Sequence, residues 1–396
     1  MSTTTLPYRA FDADNHYYEA PDAFTRHMDR KMASRAMQWA EIGGRQRLLV
    51  AGQVNKFIPN PLFDPVARPG CLYLYFKGEN PTNEDIRTLF GDLEPIHTEY
   101  RDREARIEVM DEQELEATWM FPTLGVGMEQ ALVRDPEALV AAFRAFNRWL
   151  DEDWGFAYRN RIFSAPYITL VDVDAAVAEI EWVIEHGARI VNVRAAPVYT
   201  KEGPKSPADP MFDPFWARVD EAGVIVASHG GDSGYGFIAD QWEPTGDLMA
   251  FRAAPLRTIV THQRDISDFS AALICHGLFD RFQTLRIASI ENGAGWVGSL
   301  KKRLSKAHHQ HPGYFAEDPV ETFDRHFWVA PFWEDDVDDV LASIAHDRIV
   351  FGSDWPHAEG TVRPLDYVDT IADLDDGLKK QILHDNAALV TGLPAA

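Results

Sequence analysis

Two short runs near opposite ends of the chain carry residues able to hold a divalent cation. Near the start, Tyr8-Arg9-Ala10-Phe11-Asp12-Ala13 reads as a strand and runs into Asp14-Asn15-His16. Near the end, the apolar run Arg348-Ile349-Val350-Phe351 leads into Gly352-Ser353-Asp354-Trp355-Pro356-His357. Carboxylates and imidazoles set just past strand ends are how barrel enzymes present oxygen and nitrogen donors to one ion. A further imidazole, His229, follows the strand-like run Val224-Ile225-Val226-Ala227-Ser228 and opens into Gly230-Gly231. Together Asp14, His16, His229 and Asp354 would leave a coordination position open for water or substrate, as a catalytic metal requires. Each has a plainer reading when taken alone: Asp-x-His as a satisfied turn, His229 as a cap, Asp354 as the N-cap of a following helix. Their shared position at predicted strand ends favours the metal.

For these groups to meet, the intervening chain must build a frame, and the spacing of its apolar residues predicts one. A long insertion, about residues 20–100, follows the first strand. It contains a hairpin in which Trp39-Ala40-Glu41-Ile42 turns at Gly43-Gly44 into Arg47-Leu48-Leu49-Val50, then an irregular stretch with Pro59, Pro61, Pro65 and Pro69. From residue 101 helices and strands alternate: a charged helix over 103–114, strand two over 117–121, a helix from 136 to about 154 and strand three over 163–170. A helix with apolar residues at Val177, Ile180, Val183 and Ile184 stops at Gly187; strand four over 189–194, a helix over 214–221 and strand five from Val224 follow. Beyond a second insertion at about 232–264 come a helix over 267–279, strand six over 285–290 ending at Glu291-Asn292-Gly293, strand seven over 327–329 and strand eight over 348–351. Helices over 376–384 and 386–391 close the chain. Eight strands alternating with helices predict an α/β architecture, a (β/α)8 TIM barrel with insertions after strands one and five, as one domain over residues 1–396. The strands read as continuous apolar runs, as parallel strands buried on both faces do.

Composition bounds the partners. With 45% hydrophobic residues the 396-residue chain can bury a large core, which excludes disorder. Its 38 basic and 62 acidic residues leave a net charge of −24. That argues against nucleic acid or an anionic membrane, both of which need an opposing positive field, and against polyanionic substrates. A small molecule is the expected partner. Cys71 and Cys275 are too few for a disulfide framework and form no CxxC motif. The run Met1-Ser2-Thr3-Thr4-Thr5-Leu6-Pro7 lacks the apolar stretch of a secretory leader, and no segment approaches membrane-spanning length, so a reduced, cytoplasmic protein is expected.

Several segments together resemble a known family. The Asp-x-His after strand one, the His-Gly-Gly after strand five, the run RFQTLRIASIENGAGWV and the run IVFGSDWPHAEG are similar to the second amidohydrolase-related family. This is the branch of the amidohydrolase superfamily similar to aminocarboxymuconate-semialdehyde decarboxylase. DNAALVTGL near the carboxyl end extends the resemblance, which covers about residues 8–393. It implies a barrel enzyme with one divalent ion, zinc or manganese, acting on a small molecule by decarboxylation or hydrolysis, and commonly a homo-oligomer, dimer or larger. Many superfamily members carry His-x-His after strand one, whereas Asp14 holds the first position here; a carboxylate keeps metal capacity and shifts preference towards harder ions such as manganese without excluding zinc. Decarboxylases of the prototype kind place a catalytic histidine after strand six, where this chain has Glu291.

Glu291 beside Asp14 and Asp354 would put three carboxylates around one dication, which predicts either a proton held by Glu291 or a nearby cation. Arg194, at the end of strand four, is the candidate cation, or a bidentate grip on a substrate carboxylate; a structural salt bridge is the plainer role for Glu291. His357 and Glu359 follow strand eight, where they line the mouth or cap the turn. Within an aromatic content of 12%, Tyr17, Tyr18, Trp242, Trp296 and Trp355 stand beside motif residues and are candidates to wall a pocket for a flat substrate. His308, His309 and His311 read as a solvated loop rather than a metal tract. The expectation is a metal-dependent, non-oxidative decarboxylase of a carboxylated aromatic or ring-derived molecule, with Asp354, Glu291 and His229 in the chemistry. Hydrolysis of a C–N, C–O or C–C bond by metal-activated water, with Asp354 as base, is the alternative. A barrel that binds without catalysing is the third reading, disfavoured by the intact ligand set.

Overall fold

Among the described residues, seven parallel strands form the frame: β1 (Ala10–Tyr17), β2 (Leu115–Pro122), β3 (Ile162–Ser164), β4 (Ile190–Asn192), β5 (Ile225–His229), β6 (Arg286–Ile290) and β7 (Phe327–Val329). The computed structural model describes residues 6–244, 249–252 and 254–395. Most of the amino-terminal run considered for a leader therefore lies outside the described residues, as do 245–248 and 253 of the second insertion. The strands pair as two arcs, β1-β2-β3 and β4-β5-β6-β7. Single bridges link the arcs: Tyr167 with Asn192 on one side and, through the eighth segment on the other, Val329 with Ile349 and Trp355 with Asn15. The architecture is the (β/α)8 barrel.

Two strands are shorter than the apolar pattern predicts. Pro166 lacks the N–H that would continue strand three, so its ladder ends at Ser164 and only Tyr167 bridges onward to Asn192. The eighth segment, residues 349–351, lies between β7 and β1 without a regular ladder: the Val350 N–H donates to Val329 O at 3.0 Å, and the Ala13 N–H donates to Phe351 O at 2.7 Å. The register of β1 is itself irregular between Asp12 and Asn15, and this kink brings both Asp14 and His16 to the mouth.

Alternation along the strands sorts the core. Phe11, Ala117, Trp119, Phe121, Phe163, Ile190, Ile225, Ala227 and Ile290 fill the barrel interior, joined at its base by Ala387, Ala388 and Val390 of the last helix, Asn386–Thr391. Outward-facing residues such as Met120, Val191, Val226 and Ile287 pack beneath the surrounding helices, including Pro136–Asp153, Val173–Glu185 and Asp213–Ala222. Part of the acidic surplus has a local use. Asp102, Asp135, Asp172 and Asp336 each begin a helix by accepting an N–H of its first turn, where a carboxylate also complements the helix dipole.

The first insertion holds the expected hairpin, Met37–Ile42 against Arg45–Val50, turning at Gly43-Gly44 with φ of 61° and 72°. The two insertions meet each other. The Ala250 N–H donates to Phe57 O at 2.7 Å, and the Phe251 ring stands edge-on to Phe90 at 5.0 Å. His308 and His309, expected in a loop, belong to the last turn of the helix Gly295–Gln310. No helix among the described residues is long and apolar enough to cross a membrane.

Candidate metal centre

The strand ends bring six side chains together, four of which, His16, His229, Glu291 and His357, line the floor of one cavity. His16 Nε2 lies 3.4 Å from Asp14 Oδ1, 3.3 Å from Asp354 Oδ1 and 3.5 Å from Glu291 Oε2. His229 Nε2 lies 3.3 Å from Asp14 Oδ1, 3.0 Å from Glu291 Oε2 and 3.2 Å from His16 Nε2. Donors bonded to one ion at about 2.0–2.1 Å in a tetrahedron stand about 3.3–3.4 Å apart. The observed spacings match that edge. Asp14, His16, His229 and Glu291 form one such group, and His16, Glu291, Asp354 and His357 form an overlapping one. Asp354 Oδ1 and His357 Nδ1 approach to 2.7 Å, yet neither atom, both buried, has a hydrogen bond. Buried polar atoms left in this state mark a place made for another charge. These donors fit a divalent cation with mixed oxygen and nitrogen ligation.

Local sequence explains why the groups converge. In the His-Gly-Gly run, a Cβ on Gly230 would stand 2.5 Å from Glu291 O, so only glycine lets the end of β6 lie against the end of β5. In the Gly-Ser-Asp run, a Cβ on Gly352 would stand 2.6 Å from the Asp14 Cβ. Glu291 and Asp354 both hold the left-handed backbone, with φ of 53° and 55°, a strained conformation for non-glycine residues that gathers at functional sites. Two buried ionisable groups support β1 from behind. Asp12 accepts from Ser353 Oγ at 2.6 Å, Ser353 N at 3.0 Å and Asn15 Nδ2 at 2.9 Å, tying the first and last motifs together. Arg106 donates to Asn15 Oδ1 at 2.5 Å, to His16 O at 2.8 Å and to Glu99 O at 2.8 Å, and its guanidinium lies over the Trp355 ring. Sequence reasoning missed both. The Asp12 signal was available, one strand period before Asp14.

The crowding of carboxylates redistributes protons. Burial alone would push the His229 imidazole down, but Glu291 and Asp14 outweigh it and hold it up, to about 10. Burial would raise Glu291, but His229 and His16 outweigh it and push that carboxyl below the usual range. Of the two expectations for Glu291, a held proton or a nearby cation, the direction goes with the second, and the group beside it is the His229 imidazole rather than Arg194. Burial, then repulsion from Glu291, Glu359 and Asp14, raises Asp354 well above the ordinary carboxylate range. Burial likewise raises Glu359, to about 8, with Glu291 the next cause. A ligating imidazole needs its lone pair, so a bound dication displaces the His229 proton.

The cavity above this floor has a volume of about 890 Å³. His16, His229, Glu291, His357 and Glu359 line it, as does Tyr18. His357 Nε2 is paired with Thr123 Oγ1 at 2.9 Å, a partner the sequence did not signal. A polar compartment of about 200 Å³, lined by Asp232, Arg257 and Asp265 among others, reaches Glu291 from another side.

Other expected wall residues stand elsewhere. Tyr17 is buried on the outer face of β1 against Trp149 and Trp154, because neighbouring strand residues point to opposite faces. Trp296 packs on Phe323 and donates to Gly293 O at 2.9 Å, outside the cavity lining. Arg194 donates to Gln130 Oε1 at 2.7 Å and lies 3.8 Å from Glu129 Oε1; it does not line the cavity and does not neutralise Glu291. Trp242 is exposed, and Trp355 is buried beneath Arg106.

Comparison with known proteins bears on the same site. Residues 94–393 match the family model described as Amidohydrolase. The chain is similar to a structurally characterised amidohydrolase from Mycobacterium avium subsp. paratuberculosis, with 44% identity over 98% of this chain and 100% of that one and a TM-score of 0.93. It shares its fold with a dihydroxybenzoic acid decarboxylase from a Polaromonas species, solved with bound manganese and the inhibitor 2-nitroresorcinol, at 20% identity, 81% and 93% coverage and a TM-score of 0.57. A 5-carboxyvanillate decarboxylase from Novosphingobium aromaticivorans, also with bound manganese, has 13% identity, 98% coverage of both chains and a TM-score of 0.57. No curated protein matches the sequence.

Proposed function

This chain belongs to the amidohydrolase family of enzymes, and we propose that it is a metal-dependent, non-oxidative decarboxylase of a carboxylated aromatic or ring-derived molecule. The observation that carries the reading is the donor group Asp14, His16, His229 and Glu291, with Asp354 Oδ1 3.3 Å from His16 Nε2, gathered beside a cavity whose walls are mainly apolar. Loss of carbon dioxide from carbon must be balanced by arrival of a proton at that carbon, and Asp354, beside the donor group and with its carboxyl raised by burial and by Glu291, is the residue assigned to deliver it. The fold relatives named above as decarboxylases support the choice.

Asp14, His16 and His229 would hold the ion, with Glu291 or Asp354 completing the set. Manganese suits the carboxylate share of the donors, and zinc the two imidazoles. When bound, the ion supplies positive charge that anchors and polarises the oxygens of a substrate carboxylate. The chain's own groups do the rest. His357, anchored through Thr123 Oγ1, stands with Nδ1 2.7 Å from Asp354 Oδ1, so the two are close enough to act on the same substrate atom. The apolar walls exclude water from the carboxylate, and a dispersed transition-state charge loses less than a localised one in that setting.

The test is isotopic. With metal-replete enzyme in deuterium oxide, substrate should release carbon dioxide and product should carry one deuterium at the vacated carbon. Oxygen-18 from water appearing in product without carbon dioxide release would reject decarboxylation in favour of hydrolysis, with Asp354 taking a proton from water instead.

A further inference from the structure

Apart from Asn60 and two exposed arginines, the polar side chains of the cavity gather at one end, and the rest of its lining defines the class of molecule it takes. The ionisable groups His16, His229, Glu291, His357 and Glu359 gather at the floor. The walls include Phe57, Phe63, Val66, Phe90, Leu93 and Phe251, all drawn from the two insertions rather than from the barrel strands. These walls are fixed in place: Ala250 hydrogen-bonds Phe57, and Phe251 packs edge-on to Phe90. The Phe57 ring occupies the space that a side chain on buried Gly127 would need, with ring carbon 2.5 Å from the ideal Cβ position. Arg87 and Arg252, the arginines of the lining, are exposed, and Arg194 is spent on Gln130. At about 890 Å³ the cavity lies near the top of the range of about 300–1,000 Å³ for small-molecule sites. A lone benzoate ring would leave most of it wet hydrocarbon.

We propose that the substrate is an amphiphile, with an oxyanion head at the metal floor and a large apolar body, polycyclic or long-chain, against the walls built by the insertions. The proposal rests on the metal-centre reading for its head group alone. Burial of each methylene contributes about three- to fourfold in affinity, so a series that keeps the head and lengthens the tail reads the wall directly.

The experiment titrates manganese-loaded protein by calorimetry with n-alkyl hydroxamic acids from two to eight carbons. Affinity should rise about threefold or more per added methylene. Leu93→Ser, at a half-exposed wall position that cannot unfold the core, and Phe251→Ser should each weaken the eight-carbon member at least threefold and leave the two-carbon member unchanged. A flat series on the parent overturns the amphiphile proposal while leaving the metal reading intact, as does a steep series that neither variant alters. The neutral solvatochromic dye prodan probes the walls without a metal-binding head. Dye binding to metal-free protein that weakens in both variants supports the proposal even if the two-carbon hydroxamate shows no metal-dependent binding, an outcome that would sink the metal reading alone. Dye binding indifferent to both variants overturns the proposal.

Discussion

Gly352→Ala isolates the geometry of the metal centre from the chemistry of its donors. Gly352 does not hold a left-handed backbone, so alanine meets no conformational penalty there. Its added Cβ, however, would lie 2.6 Å from the Asp14 Cβ and 3.5 Å from the Ala330 Cβ. Carbon atoms rest at about 3.5–4.0 Å, so the segments must part by about 1 Å. They are held together by the Asp354 N–H donating to Asp14 O at 2.8 Å and by Ser353 on Asp12, so Asp14 itself must move. Metal–ligand distances tolerate about 0.2 Å, and the displacement exceeds that several times over. We expect metal affinity to fall about 10–100-fold, the range for disturbed ligand positioning, with about 1–3 kcal/mol lost in stability from overpacking. Competition with a chromophoric chelator measures the first, and urea unfolding of metal-free protein the second. Gly298→Ala is the control: within the helix Gly295–Gln310 its Cβ would meet only the rotatable Ser343 Oγ, at 2.8 Å, and no metal donor, so metal affinity holds. A Gly352→Ala protein that binds metal within twofold of the parent refutes the spacing argument.

Three further outcomes follow from the same structure. Glu291→Gln should keep the fold and lower turnover by about a hundredfold or more; unchanged turnover would reduce Glu291 to scaffolding. Arg106→Met should cost about 3–5 kcal/mol in urea unfolding, because Asp12, the Glu99 carbonyl and the His16 carbonyl lose a buried cation, and a loss under 1 kcal/mol would contradict that. Glu334 has a buried Oε2 without a hydrogen bond, and burial, then Asp335, pushes its carboxyl up to about 7. A folded pKa above the unfolded one stabilises fully below about pH 4.5 and is lost as pH rises through 7. Glu334→Gln should therefore gain about 2–3 kcal/mol on the parent between pH 5 and pH 8; equal pH slopes for the two proteins would count against it.

The frame was legible because apolar runs and helical spacing alternate with little interruption from residue 101 onward, and because four of the donors follow such runs directly. What was not legible depended on the direction of single side chains. Arg194 follows a strand end like the donors do, but the turn through Ala195 and Ala196 commits it to Gln130, and spacing carries no record of that. The placing of Tyr17 was recoverable, since a strand that points His16 inward points its neighbour out. Pro166 likewise announced the early end of strand three. Arg106 gave no signal, because a charged residue in a helix reads as solvated until tertiary packing buries it. The cavity walls were equally hidden: the first insertion read only as a hairpin and a proline-rich loop, and its packing on the second insertion is a long-range contact without a periodic pattern.

An anomalous difference map, collected at the manganese edge from crystals of metal-replete protein, tests the metal centre most directly. One peak per chain, about 2.0–2.3 Å from His16 Nε2 and His229 Nε2 and within ligand distance of Asp14, is the predicted result. No peak between those two imidazoles, or a peak at His308 and His309 in its place, would contradict it.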